Sequence, residues 1–496
     1  MLKSGFIPGK TNGSDRMRLQ MAFIGSWIVV AAATVLAFRM PVEAAGAQRL
    51  DHVAGFLVGY ALCAGAALLL ARLLLHRVWS LRLGYLLCAF AALTGLGIGL
   101  NLSGYCSFPG TWLDPDLGDW TDATRDWLYT EEYMATGQLS PYAANGYIVL
   151  SGTLMKIFGC NVAVPLLANL LFAFGTVAAT GYLCAIFFPR RAKEAAFRGA
   201  LAVACVGSLA WYGSIFQKDA GVAFGFALCG IAAAKLLKER FDTALVVCGA
   251  AGGLLLMLLK GPMGWFLVVG ICAVCARFCR KAPQRYRRLY CYGIYMLLVS
   301  AAIIAGGRHW RQNDPVERVA GGAPAEFAQG MAGYQTVERY AELIPGYFQA
   351  PPAERIVKIP LAAAAQYFPP FPWNYTRDTS LGKFVWIAHI NWAWYLIGGA
   401  ALGYLILCAF RRRKGGDMER WAIWFAVCYL GMAYYSGGTV ARYLLPLVPL
   451  AVPMAMQFSR CVRERLLSRR KALVYCVTYC VMLAAGLVSA YVYLKG

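Results

Sequence analysis

Residues Val162–Phe188 read VAVPLLANLLFAFGTVAATGYLCAIFF, an apolar run with no charged side chain, and Pro189–Arg198 (PRRAKEAAFR) follow at once with four basic residues. A hydrocarbon slab of about 30 Å is crossed by roughly 20 apolar helical residues, so the run is long enough to span it. The basic segment behind it marks the cytoplasmic side, because Lys and Arg accumulate in the short loops that remain there. This stretch fixes the solvent and the orientation in which the rest of the chain is read.

Working outward, runs of the same kind occur near 21–38, 52–72, 83–102, 198–214, 219–237, 243–259, 263–279, 289–306, 385–410, 420–436, 440–458 and 472–494. With 162–188 they make about thirteen spans. The 496 residues are 60% hydrophobic and 14% charged, with a mean hydropathy of +0.55, which is far too apolar for an ordinary soluble domain. The expected fold is therefore an all-α polytopic membrane protein with two long external loops containing short interfacial helices. Residues 1–82 form an extra amino-terminal hairpin, 83–306 a transmembrane core with a first external loop at 103–161, 307–384 a second external loop, and 385–496 the carboxy-terminal helices.

The formal net charge of +23 is distributed as a membrane topology requires, not as a nucleic-acid surface. Placing the amino terminus in the cytoplasm puts 31 of the 47 Lys and Arg residues, with only seven acids, in the cytoplasmic segments. The first span also has the look of a signal peptide, but its removal leaves the orientation of the other spans unchanged. The 17 cysteines are scattered through apolar runs as small core residues. Cys106 and Cys160 differ, because they stand at the two ends of one external loop that a disulfide between them would tie. The four histidines have no zinc-like spacing, and serine-hydrolase and P-loop signatures are absent from the sequence.

Chemistry concentrates in and beside the long loops. The first holds Asp114, Asp116, Asp119, Asp122, Asp126, Glu131 and Glu132 against Arg125 and Lys156. Helical spacing places Asp122 and Asp126 on one face, where like charges raise one carboxyl pKa unless a cation compensates. An oxygen-rich cluster of this kind also suits a divalent metal, magnesium or manganese. The loop ends in Gly146–Phe158 (GYIVLSGTLMKIF), apolar but too short to span, which predicts a helix lying in or dipping into the outer interface. Lys218 and Asp219 stand at the outer tip of a hairpin, and Lys260 precedes Gly261-Pro262 at the outer end of another span; charges there are functional candidates or snorkelling anchors. Arg442, followed by Tyr443, opens an apolar, proline-rich stretch where a guanidinium suits a phosphate. The run Gln366–Tyr375 (QYFPPFPWNY), with Trp373, suits either an aromatic belt or stacking on a sugar face.

In this order the features resemble the GT-C superfamily of membrane glycosyltransferases that use polyprenyl-phosphate sugars, in particular the relatives of protein mannosyltransferases and lipid A aminoarabinose transferases. The likeness lies in the acidic first external loop, Gly146–Gly159, the Phe216–Asp219 tip, the Pro369–Trp373 run and the Arg442–Pro446 stretch; it covers 83–458, and the acidic cluster lies deeper in the loop than is usual in that group. The resemblance implies sugar transfer from a lipid phosphate to a lipid, glycan or protein acceptor at the outer face of a bacterial cytoplasmic (inner) membrane. It implies a catalytic carboxylate at Asp122, with Asp119 and Asp126 as competitors, and donor binding by Arg442, Lys218, Asp219, Lys260, Tyr443 and Trp373. Two other readings stay open: a flippase or transporter of lipid-linked saccharide, and an O-antigen-type polymerase.

Overall fold

A computed structural model describes residues 13–35, 49–107, 130, 133, 134, 136, 146–158, 162–238, 240, 242–256, 258, 259, 344, 347, 351–368, 381–410, 416–436, 444–464 and 467–495. Every regular element among them is helical. Among the described residues, eight helical stretches are long and apolar enough to cross a membrane: Met17–Thr34, Val53–Leu75, Leu81–Leu100, Ala163–Phe187, Asp219–Leu237, Trp392–Ala409, Leu445–Arg463 and Arg469–Ser489. The chain is a multi-pass membrane protein. It divides into two compact units, Met1–Asp314 with Thr379–Trp386, and Pro315–Asp378 with Ile387–Gly496.

The first unit begins with α1 (Gly13–Thr34), α2 (Arg49–Leu75) and α3 (Leu81–Ser107). Glycines let α1 and α3 approach: a Cβ on Gly95 would stand 2.7 Å from Val30 Cγ2, and one on Gly99 would meet Ala33 Cβ at 3.0 Å. Small residues four apart do this in lipid, where close backbone packing replaces the hydrophobic drive of water. Gly95→Leu is expected to force the two helices apart and cost about 1–3 kcal/mol, read as a lower unfolding midpoint in detergent.

Next come α4 (Gly146–Ile157), α5 (Ala163–Phe187), α6 (Ala192–Ala204), α7 (Gly207–Tyr212), α8 (Asp219–Leu237) and α9 (Thr243–Leu256). The stretch that opens the sequence reading, α5, is the centre of this unit, packing on α2, α6 and α8. Its Thr176 and Thr180 hydroxyls donate back to Phe172 O and Thr176 O, which hides their polarity within the helix.

The span expected at 198–214 is not one helix. It breaks after Ala204, where Val206 adopts extended backbone (φ −79°, ψ 95°), and α7 beyond the break has only six residues. Composition shows such a run as apolar throughout; beyond the short helix, Gly213 stands so close to Ala173 on α5 that a Cβ would approach Ala173 Cβ to 2.7 Å. The expected span at 243–259 is helical over Thr243–Leu256 and at residues 258 and 259. Spans expected at 263–279 and 289–306 lie outside the described residues, as does the side-chain geometry of the expected Cys106–Cys160 bridge.

At the end of α8 that leads to α9, Lys235 is 3% exposed and pairs with Asp242, its ammonium also lying 5.5 Å from the Tyr182 ring centroid. Asp242 Oδ1 accepts the Leu245 N–H at 3.0 Å and so caps α9. Asp242→Ala is expected to remove the cap and the charge partner together and to lower stability by about 1–2 kcal/mol; Asp242→Asn, which keeps the cap, separates the two effects in the same melt.

The second unit comprises α10 (Pro352–Tyr367), α11 (Leu381–Phe410) from Ile387 onward, α12 (Asp417–Ser436), α13 (Val448–Arg463) and α14 (Arg469–Lys495). Trp421 is fully buried, and its indole N–H donates to Leu450 O at 3.0 Å, joining α12 to the stretch entering α13. Gly399 and Gly403 open α11 to Tyr479, Tyr475 and Phe458, and the Tyr475 and Tyr479 hydroxyls donate to Gly399 O and Tyr395 O. Tyr367, the last residue of α10, shares a 2.5 Å hydrogen bond with Tyr479, while Trp394 Nε1 donates to Tyr367 O and Tyr395 Oη donates to Phe368 O.

Candidate functional site

The polar centre of the first unit forms around Asn169, which interrupts the apolar surface of α5 and is 0% exposed. Its Nδ2 donates to Ile215 O (2.7 Å) and Gln217 O (3.0 Å), in the turn between α7 and α8, and lies 2.8 Å from Tyr147 Oη on α4. Carbonyl oxygens only accept, so these two contacts fix which end of the amide faces the turn. The rings of Tyr147 and Phe216 meet edge to face at 5.3 Å. One side chain therefore holds α5, the Phe216–Asp219 tip and the start of α4 together.

Two further approaches converge on the same place. A Cβ on Gly146 would stand 2.4 Å from Leu258 O, and one on Gly221 would stand 2.4 Å from Leu259 Cδ1, so residues 258–259 lie against both α4 and the first turn of α8. Upstream, Tyr133 packs over Gly152 of α4, with Lys156 Nζ 4.9 Å from its ring centroid. Chain order thus brings the tail of the acidic loop to the helix that touches the tip.

Of the residues singled out in the sequence, the structure describes Lys218 and Asp219. Lys218 is half-buried at the N-cap of α8, and Asp219 is 2% exposed in its first turn, where the open N–H groups of a helix favour negative charge. Asp119, Asp122, Asp126, Lys260, Trp373, Arg442 and Tyr443 lie outside the described residues, and the next residue but one after Leu258 is Lys260. No group of His, Cys, Asp and Glu fit to hold a metal ion occurs among the described residues; the seven acidic residues that carried that expectation are not among them.

Sequence reasoning assigned no role to Asn169, Tyr147 or Gln217. The signal was present in Asn169, a lone amide in the charge-free run Val162–Phe188, since a polar side chain in a span needs a partner inside the protein. The Asn169 Oδ1 and Gln217 Oε1 acceptors are buried without a hydrogen-bond partner among the described residues. Chemically, the tip sets a half-buried ammonium beside a buried carboxylate and two buried amide acceptors.

The chain matches no family model, no curated protein and no solved structure.

Proposed function

We propose that the chain is a membrane glycosyltransferase that moves a sugar from a polyprenyl-phosphate donor to a lipid, glycan or protein acceptor at the outer face of a bacterial cytoplasmic membrane, with the amino terminus inside. The observation that carries this reading is the tie from Asn169 to both Tyr147 and the 215–217 turn, which puts the helix after the acidic loop against the Lys218–Asp219 tip. A lipid phosphate sugar needs a cation for its phosphate, acceptors for its hydroxyls and a carboxylate near the membrane surface, and a tip at the end of a membrane helix suits all three.

In this reading Asp122 takes the proton from the attacking acceptor hydroxyl, with Asp119 and Asp126 as the alternative bases. Attack on the anomeric carbon breaks its bond to the phosphate oxygen with inversion, and the polyprenyl phosphate leaves without needing a proton. Lys218 and Lys260 neutralise the charge that gathers on the phosphate, and the resemblance names Arg442, Trp373 and Tyr443 as further donor-binding residues. Magnesium or manganese at the acidic loop belongs to the same proposal.

The test is transfer by purified protein in lipid from a panel of radiolabelled polyprenyl-phosphate sugars. Lys218→Ala is expected to raise the donor KM by about 10-fold or more, since charge-assisted bonds contribute about 1.5–3 kcal/mol. Labelled lipid that crosses the bilayer without any transfer would replace this reading with a flippase.

A further inference from the structure

The sequence reading makes residues 307–384 an external loop with short interfacial helices, and the packing of α10 in the second unit bears on how deep its own helix lies. Tyr347, five residues before α10, donates its hydroxyl to Tyr434 O at 3.0 Å, near the end of α12. Further along, Ala362 packs in one cluster with Ala433, and Tyr429 Oη donates to Ala363 O at 2.8 Å. At its end Tyr367 reaches Tyr479, and Phe368 lies against Gly486, both on α14. The helix therefore runs back along α12 toward the end that carries Asp417, Glu419 and Arg420.

Three rulers measure how far. At 1.5 Å per residue, Tyr429 stands about 14 Å along α12 from Arg420, Tyr479 about 12 Å along α14 from Lys471, and Tyr395 about 22 Å along α11 from its last residue Phe410, which Arg411–Lys414 follow in the sequence. Basic residues mark the surface ends of these helices, and the hydrocarbon between the two surfaces is about 30 Å thick. Tyr367, bonded to Tyr479 and flanked by Tyr395, lies inside that slab by every ruler.

The side of α10 turned away from α12 fits that depth. Ile356 is 59% exposed, Val357 79% and Leu361 55%, with Pro360 and Ala364 exposed between and beyond them at helical spacing. The charged residues of the helix are all in its first two turns, where Glu354 pairs with Lys358 at 2.7 Å. α12 also carries an apolar, open face, with Ile423 66% and Val427 62% exposed.

We infer that α10 is a re-entrant helix, entering the bilayer from the surface opposite the basic ends of α11, α12 and α14, with Ile356, Val357 and Leu361 against lipid acyl chains and Tyr367 held at hydrocarbon depth by Tyr479. This is independent of the proposed reaction.

The test uses the wild-type full chain in lipid nanodiscs with phosphatidylcholine carrying a diazirine either at the end of an acyl chain or next to the headgroup, mapped by peptide mass spectrometry. The chain-end probe is expected to label Leu361 and Ala364 as strongly as Val427 on α12, and the headgroup probe to label the Glu354 turn. Labelling of Leu361 by the headgroup probe alone would mean a helix lying flat on the surface and would overturn the inference. Labelling of the stripe by a water-soluble diazirine, or by no probe while Val427 is labelled, would overturn it as well, the latter by showing a protein partner or a second copy on this face.

Discussion

Asn169→Leu is expected to lower the stability of the first unit by about 2–5 kcal/mol and to abolish transfer, because it strips buried acceptors of their donor without exposing them to water. Two backbone carbonyls, Ile215 O and Gln217 O, lose their hydrogen bonds, and Tyr147 Oη loses its amide neighbour. Leucine has the same branched skeleton as asparagine with methyl groups in place of the amide oxygen and nitrogen, so the hydrogen bonds are lost and some bulk is added. The check is the unfolding midpoint in detergent beside Tyr147→Phe, which removes only the contact to α4 and is expected to cost about 1 kcal/mol. Equal, small shifts in both variants would mean that the turn holds itself and that Asn169 does not position Lys218 and Asp219.

Asp122→Asn is expected to reduce sugar transfer by about 10²–10⁴-fold, the usual contribution of a positioned general base, with donor KM little changed. Asparagine keeps the shape and loses the proton acceptor, so binding of the lipid donor survives while attack by the acceptor hydroxyl does not. Asp119→Asn and Asp126→Asn, assayed in parallel, decide among the three carboxylates, since one base suffices. Wild-type rates in all three would remove the acidic loop from the reaction and leave only the tip around Lys218 to account for activity.

The pairing of these two experiments follows from how differently the residues were found. Asp122 stands out in the sequence because seven acids gather in one loop of an otherwise basic chain. Asn169 does not, since a single amide in an apolar run has no partner visible in one dimension. Gln217 sits beside the charged pair that drew attention to the tip, and only its burial shows that it belongs to the same polar centre.

Legibility in the sequence also varied from helix to helix. The helix Ala163–Phe187 and the stretches Asp219–Leu237 and Arg469–Ser489 were readable at nearly their observed bounds, because length and apolarity alone decide whether a segment prefers lipid. The run 198–214 was not, because hydropathy does not register the extended Val206 that cuts it, or the closeness to α5 that Gly213 permits. The short helix Gly146–Ile157 was expected from its length, whereas its contact with the tip was not.

By itself the sequence determined that this protein is helical, crosses a membrane several times and keeps its acids apart from most of its basic residues, since transfer from water to lipid and the distribution of charge are additive along the chain. The tertiary structure alone decided which helices touch, that Asn169 joins three segments, and that Pro352–Tyr367 runs back along α12. Those outcomes depend on close approach, hydrogen-bond direction and depth, and each is a relation between residues far apart in the chain, which no local property of either residue contains.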